Sequence, residues 1–129
     1  MLYSVDSKKT IQDVGRDLEA AVLKHRFGVM GVHNLREAMK SKGVDFTGAC
    51  LVYEVCNPHE AKKVLEAHPE ISTAFPCRIS LYELKGKVRL STVKPSMLLR
   101  MYDAPDLAEV AASIEETIIA IMNEAATDR

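Results

Sequence analysis

The sequence has no apolar run long enough to cross a bilayer. Its longest, Ile118 to Met122, falls far short of the roughly 20 residues that a hydrocarbon core of about 30 Å requires. No basic start leads into an apolar stretch either: Met1-Leu2-Tyr3 passes straight to Ser4, Asp6, Lys8 and Lys9, so a secretory signal is not expected. Cysteine is sparse and odd in number. Cys50, Cys56 and Cys77 cannot all pair within the chain, which favours a reducing compartment, and we expect a cytoplasmic protein. Gly28 and Gly31 lack the third glycine and the Gly-Lys-Ser/Thr ending of phosphate loops, and no Gly-x-Ser-x-Gly marks a hydrolase nucleophile. Cys56-x-x-His59 has metal-ligand spacing without a second Cys/His pair, so Cys77, His33 or His68 would have to be brought in by the fold. No sequence feature singles out a haem ligand, and the cofactor is left unknown. Aromatic residues make up only 5% of the chain. Arg78, Lys85, Lys87, Arg89, Lys94 and Arg100 therefore lack the interleaved stacking groups of a nucleic-acid surface, and a solvated hairpin is the better reading.

What remains is an ordinary globular composition, 47% hydrophobic and 27% charged, in 129 residues: enough for a core without staples, and for a single domain spanning 1–129. The formal net charge of -1 is unevenly spread. Residues 1–77 balance, 78–102 carry six basic and one acidic residue, and 103–129 carry seven acidic and one basic. Such a split can steer a partner or pair with itself in a dimer; two solvated faces of opposite sign are the plainer account.

Taken in order, Leu2 to Val5 reads as a strand, and Ser7 is placed to cap a helix whose apolar positions Ile11, Val14, Leu18, Ala21 and Val22 recur at helical spacing as far as His25. Phe27 to Val32 reads as a strand whose glycines point to a bulge or a close backbone approach. Asn34 with Glu37 starts a short helix that Gly43 ends. Ala49 to Cys56 alternates as a central strand, with Leu51, Tyr53 and Val55 on one face. Glu54 is the odd residue of its other face and needs a partner or a raised pKa. Asn57, Pro58 and Glu60 are a complete helix-start signal, and that helix stops before Pro69. Arg78 to Leu84 and Lys87 to Val93 form a hairpin through Lys85-Gly86. An irregular apolar segment follows, with Met97, Leu98, Leu99 and Met101, before Asp103 caps a last helix carrying Pro105 in its first turn. Its stripe of Leu107, Val110, Ala111, Ile114, Ile118, Ile121 and Met122 is long enough to lie across a small sheet. The fold class is α+β, with a sheet of about five strands.

Unusual residue types gather at two corners, Cys56-Asn57-Pro58 and Phe75-Pro76-Cys77-Arg78. If the strands flanking the intervening helix are antiparallel, both corners lie at one end of the sheet; a parallel crossover would separate them. Two thiols beside a helix N-terminus and Arg78 would suit an anion, a sulfur carrier or redox chemistry. Buried, inert cysteines at a cap and a strand entry are the simpler alternative. The candidate site is accordingly Glu54, Cys56, Asn57, Pro76, Cys77 and Arg78, binding a small or anionic ligand, with a thiol-dependent enzyme and a structural dimerisation module as alternatives.

The Cys-Asn-Pro corner, the helix ending Leu65-Glu66-Ala67-His68-Pro69-Glu70-Ile71, the Phe75-Pro76-Cys77-Arg78 strand entry and Pro95 after the last strand resemble the domain of unknown function 302 family. The resemblance runs from the first helix to about Leu99; it departs at Phe75, where Leu is common, and is loose at Gly31-Val32-His33-Asn34. It implies a TATA-binding-protein-like fold with a curved, mainly antiparallel sheet and a long C-terminal helix, as a homodimer. It implies no activity.

Overall fold

The computed structural model describes residues 1–127. Five strands, β1 (Leu2–Ser7), β2 (Gly28–Asn34), β3 (Cys50–Cys56), β4 (Cys77–Leu84) and β5 (Lys87–Val93), form one sheet in the order β1-β5-β4-β3-β2, with every neighbouring pair antiparallel. Lys85 and Gly86 both have positive φ, 51° and 79°, which is the geometry that turns β4 into β5 in two residues. Helices α1 (Ile11–Lys24) and α5 (Ala108–Ala126) pack together on one face of the sheet. There Val14, Leu18 and Val22 of α1 and Ile118, Ile121 and Met122 of α5 meet Val55, Ile79, Leu81 and Leu90 of the strands. The predicted α+β architecture with a long C-terminal helix is what the chain adopts.

A second cluster lies under the connections. Helix α3 (Pro58–Ala67) gives it Val64, the 3-10 turn Pro69–Thr73 gives Ile71, and helix α4 (Pro95–Leu99) gives Leu99; Leu107 and Ala111 come from the approach to α5 and its first turn. Phe75 and Val110 touch both clusters, so the turn into β4 is wedged between the two.

Local signals set most boundaries. The Asn34 side chain accepts the Glu37 N–H at 3.1 Å to start α2 (Leu35–Lys40), and Gly43, at φ +78°, ends the turn that follows it. Three expectations change. Ser7 does not cap α1: it ends β1, buried, and its hydroxyl accepts from the Lys9 N–H, while Thr10 caps the helix by accepting from the Asp13 N–H at 3.1 Å. The strand simply runs two residues further than Val5. The segment after β5 is not irregular, because Pro95 stands at the first position of α4, where its missing N–H costs nothing. Asp103 does not cap α5 either; the chain enters that helix through a 3-10 turn at Pro105–Leu107, and neither of these turns has a side-chain cap.

Gly15 shows how closely α1 meets the sheet. A β-carbon there would lie 2.6 Å from the Tyr53 hydroxyl, and Tyr53 is itself buried. Alanine gains about 1 kcal/mol of helix propensity over glycine, whereas overpacking a fixed neighbour costs about 1–3 kcal/mol. The clash should win. Gly15→Ala is expected to lower the urea-unfolding free energy by up to about 2 kcal/mol, and Gly28→Ala, with nothing within 4 Å of the added carbon, to stay within about 0.5 kcal/mol of the parent; a stabilised Gly15→Ala would show that Tyr53 yields freely.

Candidate functional site

Strand β3 delivers Cys56 to the end of the sheet, and Asn57 turns the chain into α3. Its side-chain oxygen accepts from the N–H groups of His59 and Glu60 at 2.9 and 3.2 Å, with Pro58 at the first helical position. Such a cap is worth about 1 kcal/mol. After α3 and the 3-10 turn the chain passes Ala74, Phe75 and Pro76, with the Phe75–Pro76 peptide cis, and enters β4 at Cys77. The antiparallel register sets Val55 opposite Cys77. Both corners therefore arrive at the same end of the sheet.

Cys56, Asn57, Pro76 and Cys77 line one cavity of about 170 Å³. Met30, Ala61, Leu65, Phe75 and Ile114 complete a wall that is almost wholly apolar. Depressions of about 440 and 340 Å³ elsewhere on the described residues have more polar walls. Of these five, only Phe75 stands at a candidate corner in the sequence. Ala61 and Leu65 stand one turn apart on α3 and were within reach of helical spacing. Met30 and Ile114 were not, since one depends on a strand register and the other on how far α5 reaches across the sheet.

Burial raises the pKa of the Cys56 thiol, and burial, reinforced by Cys56, pushes that of Cys77 up to about 12. The pocket thus holds protonated thiols at neutral pH, the opposite of what a nucleophilic cysteine needs. Cys50 lies elsewhere on β3, opposite Tyr82 of β4.

Glu54 and Arg78 are not in this cavity. They are paired in register on the opposite face of the sheet, where the Arg78 guanidinium stands 3.7 Å from one Glu54 oxygen and the His33 Nε2 lies 2.9 Å from the other. Glu54 is the partly covered member, with its side chain 20% exposed against 71% for Arg78 and 54% for His33. This carboxylate therefore has partners on its half-covered face. Gly31 makes room for it: strand β2 is bulged between Val29 and Gly31, and a β-carbon on Gly31 would meet the Glu54 carboxylate at 3.1 Å. Neither of the remaining candidate histidines lines the cavity: His68 is held by Asp106 at 3.1 Å, and His59 is exposed at the start of α3.

The sequence model of the family described as Domain of unknown function DUF302 matches residues 3–125. A crystal structure of an uncharacterized conserved protein DUF302 from Bacillus stearothermophilus is similar over almost the whole length, with a TM-score of 0.90 and 31% identity, covering 96% of this chain and 97% of that one. A comparison with curated proteins gives no match.

The thiols supply the test of this geometry. A pKa near 12 in place of 9 leaves Cys77 about a thousandfold less thiolate at pH 8, so iodoacetamide should label it only after unfolding. Because folding raises this pKa, the stabilising contribution is complete below pH 9 and is lost as the pH climbs towards 12. Stability should fall by about 1.4 kcal/mol per pH unit across that window from this one group. Cys77→Ala, although less stable at pH 7, should lack that part of the slope; rapid native labelling of Cys77 would contradict the burial.

Proposed function

The chain belongs to the DUF302 family, and we propose that it is a non-catalytic binding domain whose thiol-lined pocket takes a compact, apolar small molecule, acting as a homodimer in the cytoplasm. One observation carries the reading: Cys56, Asn57, Pro76 and Cys77, drawn from two corners about twenty residues apart in sequence, converge on a single apolar cavity. A cavity of about 170 Å³ is of the size that holds a benzene-like molecule or a xenon atom when its lining is apolar. Pockets lined by hydrophobic side chains with a few polar groups are the usual form of small-molecule sites. The protonated thiols and the Asn57 amide are those few groups here, and soft, uncharged sulfur tolerates an apolar guest.

For the dimer, α5 is a poor contributor, since Ile114, Ile118, Ile121 and Met122 are all buried within the chain. Support comes instead from β2, an edge strand of the sheet on which Met30 and Val32 are 62% and 46% exposed. An open edge with apolar side chains favours pairing with another copy. Among the described residues no helix is long and apolar enough to cross a membrane, and the three free thiols fit a reducing compartment.

Native mass spectrometry of the purified protein, followed by calorimetric titration with indole as an apolar probe, tests the pocket. We expect a retained small molecule or saturable indole binding, and in Ala61→Phe, which fills the cavity, a loss of at least about tenfold in affinity. A bare mass together with no binding of indole to the parent protein would remove the reading. Light scattering at high concentration tests the dimer separately: a monomeric mass would overturn that half alone.

A further inference from the structure

We propose that a second cavity, between the 3-10 turn Pro69–Thr73, the start of β4 and helix α4, is a site for a small organic anion with an apolar body, and that Arg78 is the residue that recognises its charge. This cavity, of about 340 Å³, lies within the usual range for ligand pockets. It shares only Phe75 and Pro76 with the thiol pocket. Phe75, Val93, Leu98 and Met101 offer apolar surface to a ligand body, and Arg78 is the one charged residue in the wall.

Arg78 is poorly used by the protein itself. Its ion pair with Glu54, at 3.7 Å, is too long for a hydrogen bond, and the side chain is 71% exposed. Such an exposed pair contributes little to stability, about 0–1 kcal/mol. The Glu54 oxygen nearest His33 already has a close partner at 2.9 Å, so Glu54 does not depend on the guanidinium. A planar guanidinium with unoccupied N–H donors matches a carboxylate or phosphate in bidentate fashion.

The other polar side chains of the wall, Ser72, Thr73 and Tyr102, carry no charge, and the last two are engaged with each other. The Thr73 hydroxyl donates to the Glu70 carbonyl at 2.8 Å and then accepts from the Tyr102 hydroxyl at 2.6 Å. Both protons are thereby used, and this pair braces the cavity between the 3-10 turn and the segment after α4. The charge selection falls to Arg78.

The test is an NMR titration of the full chain, observing the Arg78 Nε–H and the backbone amides of Thr73 and Tyr102, with phenyl phosphate, benzoate, benzyl alcohol and inorganic phosphate. Phenyl phosphate or benzoate should shift these signals saturably, and the tighter of the two names the headgroup. Benzyl alcohol, which lacks the charge, and inorganic phosphate, which lacks the body, should each bind at least about tenfold more weakly. Arg78→Met should weaken the anion at least about tenfold and Arg78→Lys less; the position is exposed, and a dispersed spectrum verifies the fold. Ala61→Phe, which fills the thiol pocket, should leave the titration unchanged, so that this site and the apolar one stand or fall separately. Equal binding of benzoate and benzyl alcohol, unchanged affinity in Arg78→Met, shifts confined to Cys56 and Ala61, or no binding by any probe would each overturn the proposal.

Discussion

The register between β3 and β4, with Val55 opposite Cys77, is the constraint on which the rest of the structure depends. Because the two strands are antiparallel, everything inserted between them must leave and return at one end of the sheet. Helix α3 rises from that end for ten residues, roughly 15 Å, and the 3-10 turn and Phe75–Pro76 bring the chain back. The return is secured by apolar contacts: Val64 and Ile71 are fully buried in the smaller cluster, and Phe75 links it to the main core. The cavity lies where the two corners meet.

The same register explains why the candidate residues divide into two groups. Side chains alternate across a strand, so Cys77 and Arg78, adjacent in sequence, project to opposite faces. Cys77 goes towards the helices and the core. Arg78 goes to the other face, beside Glu54 and the groove next to α4. A pocket of neutral thiols and a groove with a lone guanidinium are then neighbours separated by the Phe75–Pro76 wall, and they suit different chemistries. Burial is what makes the distinction chemical as well as geometrical, since it keeps both pocket thiols protonated.

Much of this was legible in the chain. Asn34 and Asn57 start helices because an amide oxygen can take up orphan N–H groups, Lys85-Gly86 turns a hairpin because both residues adopt positive φ, and the stripe of α5 follows from its spacing. These are local rules, and the structure follows them. Ser7 is a good cap by residue type, but Thr10 takes that place because of how far β1 pairs with β5, which no local rule contains. The partners of Glu54 were similarly out of reach. A carboxylate on a half-covered strand face called for one, but His33 and Arg78 meet it only through a bulge in β2 and the register of β4. Met30 and Ile114 belong to the pocket for the same non-local reason. The family resemblance supplied the antiparallel choice that local signals left open, and with it the meeting of Cys56 and Cys77.

Two sequence corners build one apolar cavity at the end of the β3–β4 pair. A crystal of the protein pressurised with xenon tests it most directly, because xenon enters dry apolar cavities and is located without ambiguity by its scattering. A xenon atom is expected where Met30, Cys56, Leu65, Phe75, Cys77 and Ile114 bound the cavity. A structure in which these side chains close on one another and xenon is found only elsewhere would contradict it.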